Sequence, residues 1–255
     1  MNPANETLET IATVNPILGG ALTLVQPRNG YRFSIDSLLL ARFARVRGRD
    51  RVLDLGAGCG VISVMIAAQS HPREVVALEL QSELAAIAER NAALNRLGSM
   101  RVIHADLRTR RIAGLTPASF DLVVANPPYR ALRSGRESPD AGRRAARGES
   151  TATLAQFVEA AKRYCANGAK AAFIFDATRS AELIACLTAH SLEPKRLRFV
   201  HPIAGARATT ILVEARKGGG RETVVEPPLM LYDRRGVYSD EARELMQNNS
   251  HTRSK

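Results

Sequence analysis

An open α/β sheet, doubly wound with helices on both faces, is the fold that this sequence predicts. Three observations carry it. From residue 51 onward, short β-branched runs alternate with stretches of helical composition, the pattern of βαβ units around a parallel sheet. A glycine-rich turn, Gly56-Ala57-Gly58-Cys59-Gly60, directly follows the first of those runs. A stiff segment, Asn126-Pro127-Pro128-Tyr129, directly follows a later one, Phe120 to Ala125.

The elements follow in order. Residues 1–30 read as irregular, because Asn15, Pro16, Gly19 and Gly20 break any periodicity. A helix is expected over Asp36 to Arg45. Arg51 to Leu55 reads as the first strand and Val61 to Gln69 as a helix. Glu74 to Leu78 is a second strand. Ser82 to Leu97 has helical composition, with Ser82 placed to cap its start and Gly98 to stop it. Strands are expected over Met100 to His104 and Ser119 to Ala125, and a helix over Thr153 to Cys165 that Asn167-Gly168 ends. A fifth strand over Ala169 to Phe175, a helix over Ser180 to His190 and a closing pair, Lys195 to Val200 and Thr209 to Ala215, complete a seven-stranded sheet. Lys217 to Gly220 marks a turn, and a short helix is expected over Asp240 to Gln247 in a mixed tail. The division is an extension over 1–50, a core domain over 51–216 and a second extension over 217–255. Arg130 to Glu149 breaks the pattern. It carries Arg130, Arg133, Arg136, Arg143, Arg144 and Arg147, is too polar to pack, and reads as a long mobile loop beside the Asn-Pro-Pro-Tyr segment, suited to clamping phosphates.

At 255 residues with 45% apolar content, the chain has enough material for one well-packed α/β core. Its 36 Lys and Arg against 25 Asp and Glu give a net charge of +11, and the pI is near 10.3. That balance favours a polyanionic partner, of which nucleic acid is the commonest. Cys59, Cys165 and Cys186 have no CxxC spacing and no neighbouring histidine cluster, so no metal site is expected and the compartment is a reducing one. No Lys or Arg precedes Arg28, which gives no signal-peptide start, and no apolar run is long enough to span a bilayer. The expectation is a cytoplasmic protein with no membrane partner.

The chemistry of the two punctuating motifs is more specific. Glycines after the first strand of an open sheet let the backbone approach a ligand at the carboxyl ends of the strands. The dinucleotide fingerprint GxGxxG is not matched, because the sixth position is Val61 and glycine sits at the fifth. At the second motif, an Asn oxygen and a Pro carbonyl can each accept an N–H from a planar amine. Two such acceptors return the delocalised lone pair towards an incoming electrophile, the prolines supply no competing N–H, and Tyr129 offers a face for a ring.

Together, the Asp54-Leu55-Gly56-Ala57-Gly58-Cys59-Gly60 turn and Asn126-Pro127-Pro128-Tyr129 resemble the amino-methyltransferases, which move a methyl group from S-adenosyl-L-methionine to a planar nitrogen on a Rossmann-like seven-stranded sheet. With the upstream stretch Phe33-Ser34-Ile35-Asp36-Ser37-Leu38-Leu39-Leu40, the chain resembles the bacterial tRNA adenine-N6 methyltransferases that modify a valine tRNA next to the anticodon. The resemblance runs from about residue 24 to 247. It implies that Asn126 and the Pro127 carbonyl hold the amine, with Pro128 stiffening the turn and Tyr129 stacking on the base. It further implies a cofactor site in which Gly56, Gly58 and Gly60 line the turn that Asp54 opens. Glu79 accepts from the ribose hydroxyls, Asp106 from the adenine amino group, and Leu80 and Leu107 sandwich the adenine. Phe33 stands near the cofactor and Asp36 at the pocket floor, so the N-terminal helix contributes to the pocket. The substrate implied is RNA, with tRNA first.

Other readings remain open at this point. The same tetrapeptide serves enzymes that methylate a glutamine amide in release factors, although about 50 residues before the first strand are too few for their helical N-terminal domain. A DNA adenine methyltransferase lacks room for a target-recognition domain, and a ribosomal-RNA guanine methyltransferase would often carry a duplicated domain. An RNA-binding protein with an inactive methyltransferase fold is the non-enzymatic reading, and intact Asp54, Glu79, Asp106 and Asn126 speak against it. Oligomeric state is left open.

Overall fold

The structure, a computed structural model, describes residues 12–27, 35–128, 152–234 and 236–247. Phe33, Tyr129, the Arg130 to Glu149 stretch and the tail from Asn248 lie outside the described residues.

The chain opens on an antiparallel hairpin, β1 (Ala12–Ile17) and β2 (Leu22–Pro27), followed by helix α1 (Ile35–Phe43). The repeating part comes next: β3 (Arg51–Leu55), α2 (Val61–Ser70), β4 (Glu74–Glu79), α3 (Ser82–Leu94), β5 (Met100–His104) and β6 (Phe120–Ala125). It continues through α4 (Leu154–Tyr164), β7 (Cys165–Asp176), α5 (Ser180–Ala189), β8 (Leu192–His201) and β9 (Thr210–Lys217). Two short strands, β10 (Val224–Val225) and β11 (Leu229–Met230), precede a hairpin of β12 (Tyr232–Arg234) and β13 (Val237–Tyr238) and a last helix, α6 (Asp240–Met246).

The main sheet runs in the order β10-β8-β9-β7-β6-β3-β4-β5 and has nine strands, because β11 also pairs with β8. β5, β4, β3, β6 and β7 are parallel neighbours, and β9 runs antiparallel to both β7 and β8. The seven long strands are those the sequence predicts. The other two are two-residue strands laid parallel along β8.

Alternation along the strands fills both faces. Val52, Val75, Val124 and Ile174 pack with the hairpin, α1 and α2 on one side, where Leu24, Leu40 and Met65 are fully buried. Leu53, Val76, Val123 and Phe173 pack with α4 and α5 on the other, around Val158, Tyr164 and Leu183. Among the described residues, no helix is long and apolar enough to cross a membrane.

Three local expectations are corrected. Residues 12–27 form a hairpin, not an irregular lead. Its turn uses Gly19 and Gly20 at φ 66° and 91°, which glycine adopts without strain. Pro16 is tolerated because β1 is an edge strand, and β2 completes its bonding on side chains: the amides of Asn91 on α3 and of Asn95, at its C-terminal cap, pair with the backbone of Val25 and Thr23. Secondly, β7 begins at Cys165, so Asn167-Gly168 lies inside a strand whose register against β6 shifts between Phe120 and Leu122. Thirdly, Gln81, not Ser82, occupies the cap position of α3, and it makes no side-chain cap bond. By contrast, Thr153 and Gln156 form a reciprocal capping box on α4.

Candidate active site

Register places the candidate residues along one edge. Leu55 pairs with Leu78 of β4 and with Ala125 of β6, and Glu79 pairs with His104 of β5. The residues immediately beyond, Gly56, Leu80, Ala105 and Asn126, therefore sit side by side at the carboxyl ends of four parallel strands, where open sheets bind ligands. One cavity collects them. Its walls include Gly56, Gly58, Glu79 and Leu80 on one side, Asp106 and Leu107 on another, and Asn126 and Pro128 on a third.

The glycine turn is tied down at both ends. The N–H groups of Gly56 and Ala57 both donate to the Leu78 carbonyl, at 2.9 and 3.0 Å. Gly56, Gly58 and Gly60 all have positive φ. A Cβ at Gly56 would stand 3.0 Å from the Phe157 ring, and one at Gly60 would stand 3.0 Å from the Ala88 Cβ. A side chain is thus disfavoured at all three by backbone conformation, and at Gly56 and Gly60 by crowding as well.

Glu79 is 5% exposed. Its Oε2 accepts the Gly58 N–H at 2.8 Å and its Oε1 accepts the Gln81 N–H at 2.9 Å. Burial raises its pKa above the usual carboxylate range, and the N–H groups of Gln81, Gly58 and Leu80 oppose that rise. With three N–H groups on two oxygens, acceptor capacity is left for a ligand. Asp54 is fully buried below the turn, with its Oδ2 accepting from the Ser63 hydroxyl at 2.7 Å. Among the described residues its Oδ1 has no hydrogen-bond partner, and burial pushes the pKa up to about 7. Cys59, also fully buried, is pushed up to about 12 by the same cause and is an inert thiol.

Asp106 is held differently. Arg108 donates to it from Nε at 2.9 and 2.8 Å, from Nη2 at 2.5 Å and from the backbone N–H at 2.8 Å, and these bonds lower the carboxyl pKa. Leu107 is buried and Leu80 half-buried, so the cavity has apolar walls next to two carboxylates. Asn126 is half-buried, Pro127 buried and Pro128 exposed. Among the described residues, the Asn126 amide has no hydrogen-bond partner.

The structure does not bring every candidate to the cavity. Asp36 lies half-buried in the first turn of α1, away from the cavity's lining, and Asp54 and Gly60 support the turn from behind. Phe33 and Tyr129 lie outside the described residues. Four contributors have no motif in the sequence. Leu84 and Gln81 line the cavity, Phe157 packs on Gly56, and Arg108 clamps Asp106. Phe157 had one available signal, since it lies in the first turn of the helix that starts after the Thr153 cap. Asn91, fully buried, donates to the Cys59 carbonyl at 2.8 Å and so joins the glycine turn to β2.

A doubly wound sheet with a glycine turn, a buried acid ending its second parallel strand and an Asn-Pro-Pro edge is the architecture of an S-adenosylmethionine-dependent methyltransferase. The chain belongs to the methyltransferase small domain family, whose model matches residues 33–176. It is 30% identical over 222 residues to the tRNA1(Val) (adenine(37)-N6)-methyltransferase of Aeromonas hydrophila, covering 86% of this chain and 89% of that one. The enzyme of the same name from Tolumonas auensis is 30% identical over 166 residues, 64% of this chain and 67% of its own. A solved structure from Agrobacterium tumefaciens, described as a predicted O-methyltransferase, superposes with a TM-score of 0.66 at 26% identity, over 84% of this chain and 95% of that one.

Proposed function

We propose that this methyltransferase acts on the exocyclic N6 of an adenine in tRNA. The observation that carries the reading is the placement of Asn126-Pro127-Pro128 at the same edge level as the glycine turn and Glu79, around one cavity. The cavity fits the cofactor. Its glycine turn leaves little room for a Cβ at Gly56, its carboxylate at Glu79 can accept hydroxyl donors, Asp106 accepts an amino donor where the Arg108 side chain yields to it, and Leu80, Leu84 and Leu107 give apolar contact for a purine. When bound there, S-adenosylmethionine supplies an electrophilic methyl on a sulfonium.

The chain's own part is orientation and polarisation. The Asn126 Oδ1 and the Pro127 carbonyl accept the two N–H bonds of the target amine, which keeps its lone pair directed along the transfer axis. Tyr129 stacks on the base. No side-chain base is required, because the proton leaves after the methyl has arrived. Asp54 and Ser63 hold the turn in the core domain (51–216), and Phe33 of the N-terminal extension (1–50) is the residue from that extension offered to the cofactor, since Asp36 stands away from the lining. The net charge of +11 and the names of both bacterial relatives support tRNA as the partner and the cytoplasm as the compartment. An unpaired anticodon loop presents a base that flips out at low cost.

Mass spectrometry of tRNA nucleosides from a strain lacking the protein tests the reading. N6-methyladenosine is expected to vanish from one tRNA, to return with a wild-type copy and to stay absent with Asn126→Ala. Unchanged tRNA nucleosides would remove tRNA as the substrate.

A further inference from the structure

The C-terminal extension reaches the catalytic edge of the sheet. β8 runs parallel to β7, so His201 lies at the carboxyl edge. β11 runs along β8 to that level, with Met230 paired to His201, and the next residues bond beyond it: Leu231 N–H to the His201 carbonyl and Tyr232 N–H to the Pro202 carbonyl, both at 2.8 Å. The β12–β13 hairpin therefore projects from the edge that carries the cavity. Ser239 fixes its base. The Ser239 hydroxyl donates to the Met230 carbonyl at 2.6 Å, and its N–H donates to the Leu231 carbonyl at 2.9 Å.

On this hairpin, Tyr232 and Tyr238 face each other across the strands, with ring centroids 4.7 Å apart and planes inclined by 23°. Tyr238 is 36% exposed, which makes it one of the few large apolar groups on the described surface. Arg234 on the hairpin and Arg207 on the β8–β9 loop are exposed at the same edge and make no ion pair with any described residue, while Asp233 contributes one opposing charge. Three strand spacings of about 4.8 Å separate β6 from β8, and β11 adds one more, so the pair stands roughly 15–20 Å from Asn126 along the edge. That is about five stacked nucleotides at roughly 3.4 Å each.

Resting on the proposed tRNA reading, the geometry points to the Tyr232–Tyr238 pair as a stacking platform for an unpaired base of the RNA, a few nucleotides from the target adenine, with Arg207 and Arg234 on the adjoining phosphates. A ring already stacked and fixed by its hairpin loses little freedom when a base is added, and every base has a face to offer. A cross-strand tyrosine pair also strengthens a hairpin, so the test must separate the two roles.

The experiment uses the full chain and an unmodified valine tRNA transcript, with binding read by fluorescence anisotropy at several salt concentrations. Tyr238→Leu is expected to weaken transcript binding by about tenfold with an unchanged salt slope. Tyr238→Phe and Tyr238→Trp should stay within about twofold of wild type or bind more tightly, and cofactor affinity by calorimetry should be the same in all. The double substitution Arg207→Ser with Arg234→Ser, at exposed positions, should flatten the salt slope by roughly one to two. Should Tyr238→Leu lower the melting temperature, Tyr238→Trp and the arginine pair still decide. Wild-type binding in Tyr238→Leu, or an unaltered slope in the double variant, overturns the platform while the methyltransferase reading stands. A wild-type protein that neither binds nor methylates the transcript removes the tRNA reading and the platform together.

Discussion

The two halves of the cavity are built on opposite plans. On the cofactor side, polar groups are already committed: Glu79 accepts from Gly58 and Gln81, Arg108 saturates Asp106, and Gly56 and Ala57 share the Leu78 carbonyl. On the acceptor side, Asn126 has no partner among the described residues and Pro128 is exposed. A cofactor must meet the same rigid frame at every turnover, so preformed bonds lower the ordering cost of binding it. On the proposed reading the acceptor groups act most strongly in the transition state, and an uncommitted amide is free to do so.

The largest effect is expected on the uncommitted side. Asn126→Ala should lower turnover by at least two orders of magnitude and leave cofactor affinity near wild type, measured by single-turnover assay and calorimetry. A variant that keeps more than about a tenth of the activity would break the distinction between the halves.

Glu79→Ala removes a charged acceptor and also releases the Gly58 N–H, so cofactor affinity should fall at least tenfold. Glu79→Gln keeps one acceptor oxygen and should fall between the variant and wild type. Equal affinity in all three would place the ribose elsewhere.

Asp54 gives a pH test of the frame. Its pKa is raised from 3.8 to about 7 by burial, so the folded protein holds a proton that the unfolded chain releases. That contribution is present below the unfolded value and is lost as pH rises towards 7, at up to about 1.4 kcal/mol per pH unit. Thermal melts of wild type should therefore decline between pH 5 and 7 more steeply than those of Asp54→Asn, which has no proton to lose. Parallel pH profiles would show that Asp54 is ionised in the folded state throughout.

The smallest expected effect sharpens the comparison. Arg108 is half-buried and occupies the acceptor oxygens of Asp106. Arg108→Ala should leave cofactor affinity unchanged or raise it by about twofold, since partly solvated ion pairs contribute little and its removal frees the acceptor. A tenfold loss would make Arg108 a contact for the cofactor.

Much of this frame is legible in the sequence because its parts are local. A glycine at positive φ and a strand followed by Asn-Pro-Pro each announce themselves within a few residues. Glu79 stands out because it ends an apolar strand. The parts that are not legible depend on distant partners. The N-terminal hairpin is completed by Asn91 and Asn95, whose amides replace a neighbouring strand from more than sixty positions away, as their sequence separations of 66 and 72 residues show. Pro16 and Asn15 hide the alternation that would have marked β1. Phe157 reaches Gly56 only once α4 has packed on the sheet, and the Arg108 clamp depends on a rotamer that no pattern encodes. β10 and β11 are two residues each, too short for periodicity.

The most direct test of the central claim is a transfer assay with isotope-labelled methyl. Purified protein, labelled S-adenosylmethionine and tRNA from a strain lacking the modification are incubated together, and the nucleosides are separated by mass spectrometry. The account predicts label in N6-methyladenosine from a single tRNA with wild type and none with Asn126→Ala. Label in another nucleoside, on a protein glutamine, or equally with both proteins would contradict it.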